Sequence, residues 1–395
     1  MLVRPVPLVV GVAAALTALA VGVLPSAASA AAPGARSAVI VTLEGASAAP
    51  ATVAELAEEL GGEVGHVYTD ALRGYSVELP TAALPALQAL PGVAAVEADG
   101  VVHAVATQSP VPSWGLDRVD QRALPLSGGF TYGDTGAGVT AYIVDTGIRR
   151  DHVDFSGRAV SGYDAITSGG AANDCNGHGT HVAGTVGGEA HGVAKDVALV
   201  AVRVLDCSGS GSTSGVIAGV DWVARDHDAG EPAVANMSLG GGASSALDSA
   251  VRGAIEDGVT FAVAAGNDGG LLGELTGLAD ACNGSPSRVA EALTVGATDK
   301  SDSKAPYSNR GTCLDLFAPG SSIVSAWHTS STATKSISGT SMAAPHVAGV
   351  AAQYLQGAPS ASPATVGQHI VGTATTGVVK NPGSGSPNRL LFTAE

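Results

Sequence analysis

From Gly138 onward, short apolar runs alternate with helix-length segments, and this alternation constrains the fold more than any other feature. The runs read "GVTAYIVDTGI", "VALVAVRVLD", "PAVANMSLGG", "GVTFAVAAGN" and "EALTVGAT". Each is rich in valine and alanine and closes on small or polar residues. "SGVIAGVDWVARDHD" and "SSALDSAVRGAIEDG" lie among them with apolar residues at helical spacing. Such alternation predicts a mainly parallel sheet with helices on both faces, a three-layer α/β fold. A low aromatic content of 4% and 54 glycines suit closely packed layers joined by tight turns. In parallel sheets the functional groups gather at the carboxyl ends of strands. Residues that end a strand or open the next helix are therefore the ones to examine.

The N-terminal part has another rhythm. Arg4 precedes an apolar run from Leu8 to Leu24, and Ala28-Ser29-Ala30 fits a small-residue cleavage site. Residues 1–30 are expected to be an export signal rather than a membrane anchor, because the run is short and alanine-rich. "SAVIVTL" predicts a strand, "TVAELAEELGG" a helix, and "GYSVELP" a second strand. "ALPALQALPGVAAVEADGVVHAV" predicts a helix, a turn and a further strand. Residues 31–105 are thus expected to form a small α+β domain of ferredoxin-like type. Glu55, Glu58, Glu59 and Glu63 are placed together on its first helix. "ATQSPVPSWG", from Ala106, predicts a linker.

The net charge of −16 argues against nucleic acid or an anionic membrane as partner, since both need basic patches. It leaves carboxylates available for hard cations such as calcium. Cys175, Cys207, Cys282 and Cys313 are even in number, so two disulfides are expected in an exported protein. Four cysteines allow three pairings, and no C-x-x-C pair suggests zinc.

Three segments meet the strand-end criterion. "AYIVDTGI" ends a strand on Asp145, "CNGHGTHVAG" puts His178 at a helix start, and "SGTSMAAPHVAG" puts Ser341 at another. Singly, these residue types are common turn formers and caps. Together they supply an acid, a base and a nucleophile. A serine hydroxyl needs a base to take its proton, and imidazole can do so near neutral pH. A buried carboxylate fixes the imidazole tautomer. A helix N-terminus offers N–H groups to the oxyanion formed on attack. Asn267, ending "FAVAAGN", can add a side-chain amide donor. His181 and His346 are expected to pack within their helices. "HGTH" lacks the zincin glutamate, so no catalytic metal is expected.

"YIVDTGI", "NGHGTHVAG", "NMSLGG", "AVAAGN" and "GTSMAAPHVAG" together resemble the subtilase family of serine peptidases, over Trp114 to Phe392. Subtilases carry their triad in the order Asp, His, Ser. Within the family the cysteines and "WGLDRVDQRALPL" resemble the aqualysin-like members of the proteinase K branch. The resemblance implies a secreted endopeptidase, with Asp145, His178 and Ser341 as triad and Asn267 in the oxyanion hole. It implies that residues 106–395 are the peptidase domain and 31–105 an inhibitor-chaperone propeptide, cut before Ala106. It implies pairing of Cys175 with Cys207 and of Cys282 with Cys313.

Substrate, by the same resemblance, lies extended between the backbone near Gly209 and "SLGG" (Ser238, Leu239, Gly240 and Gly241). Ala264, Ala265 and Gly266 would line the S1 pocket. These small residues suggest an apolar or aromatic P1, and no acid among them marks basic specificity. Thr213 would leave the S4 wall open. Structural calcium is implied at Asp315 with the carbonyls of Ala290 and Ala292, and at a second site of Asp117, Asp120 and Gln121. Asp164 and Asp174 are weighed for a third. The partners implied are protein or peptide substrates and the chain's own propeptide, with the enzyme a monomer. "GGLLGELTGL" (Gly269 to Leu278) is an insertion relative to the branch, expected to be a surface bulge, with a reshaped S1 rim or a partner-binding surface as alternatives. An alternative class is a secreted binding or inhibitory protein with a catalytically dead subtilase body, its contact surface the N-terminal domain or the Gly269–Leu278 insertion.

Overall fold

The computed structural model describes residues 35–44, 49–100 and 106–393. The expected export signal at 1–30 and the residue before the expected cut, Val105, lie outside the described residues. The chain divides into two compact units, Met1–Gly100 and Val101–Glu395. Among the described residues no helix is long and apolar enough to cross a membrane.

The first unit is a four-stranded antiparallel sheet in the order Glu63–Tyr68, Gly74–Pro80, Arg36–Leu43, Val93–Ala98. Helices Pro50–Glu59 and Leu84–Gln88 complete a ferredoxin-like βαββαβ order. Val39, Val41 and Leu43 alternate along one strand and meet Val53 and Ala57, one helical turn apart. The first helix stops sooner than the glutamate cluster suggests. Gly61 takes a left-handed φ of 81°, and Glu63 opens an edge strand where it pairs with Arg36 at 3.1 Å. Glu63 therefore does not lie on the helix.

The second unit is built on a nine-stranded sheet. Its order is Thr375–Thr376, Arg389–Leu390, Leu316–Pro319, Leu293–Thr298, Thr260–Ala264, Ala233–Met237, Thr140–Asp145, Ala198–Arg203, Ala159–Asp164. Only the first pair is antiparallel; the other neighbours run parallel. All five strands expected in this region are present. Strand Thr140–Asp145 shows why its sequence is apolar throughout. Ala141 and Ile143 enter the core beneath helices His178–Gly187 and Thr340–Gly357. Tyr142 and Val144 enter the opposite core beneath Thr213–Asp226 and Ser245–Asp257. A parallel strand buried on both faces has no polar side to show.

The stretch after Ala106 is not a linker. Ala106–Gln108 pairs antiparallel with Phe130–Tyr132, and the Gln108 amide donates to the Ala190 carbonyl at 2.9 Å. Its serines and prolines read as flexible because the partners that hold it lie more than twenty residues away. The disulfides join Cys175 to Cys207 and Cys282 to Cys313. At sequence separations of 32 and 31, each restricts the unfolded chain by about 3–4 kcal/mol.

Candidate active site

The chain enters the sheet at Thr140–Asp145, steps out to the edge at Ala159–Asp164, and returns between them at Ala198–Arg203. It then crosses to the other side of the first strand. Asp145 therefore sits at the carboxyl end of a strand beside the point where the winding reverses. Its side chain is fully buried, and its Oδ1 accepts the Thr146 N–H at 2.7 Å. His178 opens the helix on the same side. Its Nδ1 lies 2.8 Å from Asp145 Oδ1 and 2.9 Å from Oδ2. Burial alone would depress the imidazole, but the Asp145 charge and hydrogen bond, helped by Asp174, hold its pKa above the ordinary value. A histidine so placed gathers a proton readily and presents its other nitrogen outward.

Ser341 stands in the first turn of the buried helix Thr340–Gly357, whose opening N–H groups have no acceptor within the helix. One of them is used: Thr340 donates its N–H to Asn267 Oδ1 at 2.9 Å, and its hydroxyl donates to the same oxygen at 3.1 Å. That fixes the Asn267 amide with its carbonyl occupied and its NH2 left for the cleft. A Cβ built on Gly339 would stand 3.6 Å from Ser341 N and 3.7 Å from Asn267 Nδ2. The two nitrogens thus flank one small space, which the absence of a side chain at Gly339 keeps open.

Pro345 has a consequence at the reacting residue. Without an N–H it cannot bond to the carbonyl four residues back, that of Ser341. The Ser238 hydroxyl fills the gap, donating to Ser341 O at 2.8 Å, and itself accepts from Asn236 Nδ2 at 2.8 Å. In return the Ser341 hydroxyl donates to the Ser238 carbonyl at 3.1 Å. Ser341 Oγ is therefore turned toward Ser238 rather than His178, and rotation about its Cα–Cβ bond would free it.

Two cavities flank this point. One of about 540 Å³ is lined by His178, Gly209, Leu205, Thr213, Val216, Leu247 and Ser238 to Gly242. The other, of about 460 Å³, is lined by Ala264 to Asp268, Leu278, Asp280, Asn283, Asn309, Thr340 and Ser341. Leu239 to Gly242 border both, so the two form one groove past the serine. Every expected cleft residue lies on it. Two carboxylates that the sequence did not place there, Asp268 and Asp280, also border the second cavity. Asp268 accepts from the Asn309 amide at 3.1 Å and Asp280 from the Cys282 N–H at 2.9 Å.

A subtilase family model matches residues 136–390, and a peptidase inhibitor I9 model matches residues 37–104. The chain belongs to the subtilase family. It is 61% identical over 333 residues to an extracellular serine proteinase of Thermus sp. (strain Rt41A), covering 84% of this chain and 78% of that one. It is 53% identical over 336 residues to alkaline serine exoprotease A of Vibrio alginolyticus, covering 84% of this chain and 60% of that one. A crystal structure of a cold-adapted subtilisin-like serine proteinase superposes with a TM-score of 0.68 at 53% identity, over 73% of this chain and 100% of that one. This subtilase is an extracellular serine peptidase preceded by an I9-type inhibitor domain.

The residues implied for calcium divide into different cases. Asp315 is a half-buried carboxylate whose Oδ2 accepts the Thr294 N–H at 2.8 Å, and burial pushes its pKa up to about 6. A half-buried carboxylate held up by burial, with only the Thr294 N–H and the Arg389 charge to offset it, is of the oxygen type that suits a hard cation. Asp117, Asp120 and Gln121 converge on one loop: Asp117 Oδ1 and Gln121 Oε1 both accept the Ser127 N–H, and Asp120 accepts that of Thr131. Asp164 and Asp174, weighed for a third site, are likewise held by protein donors. Asp164 is taken by the Ile166 and Thr167 N–H groups and by Arg203. Asp174 Oδ1 accepts from Thr146 Oγ1 and the Asn176 and Gly177 N–H groups, and Oδ2 from Thr180 N and Oγ1. It clamps the Asp145 loop to the start of the His178 helix, a role that "NDCNGHGT" does not announce. Among the described residues no three His, Cys, Asp or Glu side chains cluster as a metal site. His181 and His346 are fully buried, and burial pushes their pKa values down to about 3 and about 4, so both are neutral core residues.

Proposed function

We propose that this subtilase is an endopeptidase that works through an acyl-enzyme on Ser341. His178 takes the Ser341 proton as Oγ attacks the scissile carbonyl, then passes it to the leaving amine. Asp145 holds the imidazole tautomer and steadies the imidazolium. Asn267 Nδ2 and the Ser341 N–H receive the oxyanion, and water then releases the acyl group, again with His178 as base. One observation carries the reading: the Asp145–His178 hydrogen bond at 2.8 Å opens onto the same groove as Ser341 and Asn267. Substrate would lie along Ser238 to Gly241 and past Gly209 as an added strand. Ala264, Ala265, Gly266 and the apolar rim favour an apolar or aromatic P1, and the two bordering carboxylates are already held by protein donors. Leu205, Val216 and Leu247 offer apolar ground farther along, where Thr213 leaves room.

The enzyme would be made as a pre-pro-protein, with residues 1–30 for export, 31–105 as intramolecular chaperone and inhibitor, and 106–395 as a monomeric peptidase. Calcium, when bound, would supply positive charge to Asp315 and the carbonyls of Ala290 and Ala292. Asp117, Asp120 and Gln121 would hold a second ion. Both roles are structural. Ser341→Ala is the test. It should abolish casein hydrolysis and leave residues 31–105 attached, whereas casein hydrolysis at the wild-type rate would overturn the reading.

A further inference from the structure

The Gly269–Leu278 segment lies beside the cavity that borders Ser341. It folds into a short helix, Leu271–Thr276, and is anchored at both ends. Gly269 donates its N–H to Tyr307 O at 2.8 Å, and Arg310 donates its own to Ala279 O at 2.8 Å. A Cβ on Gly273 would fall 1.7 Å from the Asp268 carbonyl, so the segment folds back tightly on the residue that follows Asn267. Asn283, itself a lining residue of the cavity beside Ser341, donates its amide to Gly277 O at 2.8 Å. These contacts hold the turn that ends the segment, and Leu278 follows at once. Leu278 lines the same cavity yet is 59% exposed. Leu275, 76% exposed, does not line it.

We propose that Leu278 is a specificity-determining residue that favours large apolar P1 side chains. The inference rests on the reading that the cavity beside Ser341 receives P1. An exposed leucine at its wall can lose water only against a side chain long enough to reach it. A phenylalanine or leucine at P1 gains that contact, and an alanine does not. The gain follows the apolar area covered, and partial burial of a leucine rim corresponds to roughly five- to tenfold in kcat/KM. Because Leu278 is exposed, truncating it opens no core cavity.

The experiment compares wild type, Leu278→Ala and Leu275→Ala on two tetrapeptide p-nitroanilides differing only in P1, Phe or Ala. Leu278→Ala should lower kcat/KM about five- to tenfold on the Phe substrate and stay within about twofold on the Ala substrate. Leu275→Ala should leave both unchanged. Equal losses on the two substrates, no loss with Leu278→Ala, or the same selective loss with Leu275→Ala would overturn the assignment while leaving the peptidase reading intact. A wild-type enzyme with no preference for Phe over Ala would instead remove the apolar-P1 reading on which the assignment rests.

Discussion

Replacing Asp174 by asparagine keeps the shape of the side chain and removes only its charge, so the clamp between the Asp145 loop and the His178 helix can be tested by itself. An asparagine must put its NH2 on one of two positions, each already facing donors. The Oδ2 position is the cheaper choice, because it faces only Thr180 N and Oγ1, whereas Oδ1 faces Thr146 Oγ1 and two backbone N–H groups. The Thr180 N–H is then left without its acceptor in a buried place, at about 1–3 kcal/mol. The bonds kept at Oδ1 become neutral rather than charge-assisted, which weakens them further. A total near 2–4 kcal/mol corresponds to a melting temperature lower by about 3–7 °C in a domain of this size. The melting is measured on sulfonyl-inactivated mature enzyme, so autolysis does not intervene. The same substitution removes one of the charges that raise the His178 pKa. Activity needs neutral His178 and rises as pH climbs through that pKa, so the acid limb of kcat/KM should move to lower pH. A variant that melts with wild type and keeps its acid limb would refute the clamp.

Two further predictions follow from the same geometry. Gly339→Ala places a methyl between Ser341 N and Asn267 Nδ2. Its φ of 164° is extended backbone that alanine tolerates, so kcat should fall by about 10²-fold at an unchanged melting temperature, and unimpaired turnover would contradict the position given to the oxyanion. Burial raises the Asp315 pKa from the usual carboxylate value of 3.8 to about 6, so the folded state binds the extra proton. Its contribution to stability is then present at low pH and lost as pH rises from about 4 to about 6. With EDTA at pH 8, Asp315→Asn should melt above wild type, and with calcium below it; a variant that keeps the full calcium-dependent gain would remove Asp315 from the site.

The parallel strands were legible because burial on both faces leaves short runs of valine and alanine with nothing polar in them. What was not legible depends on partners distant in sequence. Strand Ala159–Asp164 reads "AVSGYD" and lies at the sheet edge, where Val160 is half exposed and no apolar run is required. Glu63–Tyr68 is an edge strand for the same reason, and Ala106–Gln108 is ordered by a strand beyond the next helix. The triad and Asn267 were legible because each lies at or just past a strand end, or at a helix start, in a recognisable motif. The Ser238–Ser341 exchange was not read from the sequence, although Pro345 withholds an N–H from the Ser341 carbonyl. Which hydroxyl would replace it depends on how helix Thr340–Gly357 lies against strand Ala233–Met237. The clamp made by Asp174 was not legible, because a carboxylate in a polar loop does not name its donors, and Thr146 and Thr180 lie in other segments.

The central claim is that Ser341 is the nucleophile, and covalent labelling with a fluorophosphonate tests it most directly. Mature enzyme is treated with the reagent, digested and read by mass spectrometry. A single adduct on Ser341, formed with loss of peptidase activity, is the predicted result. Full inactivation with the adduct on another residue, or full activity retained with Ser341 unlabelled, would contradict it.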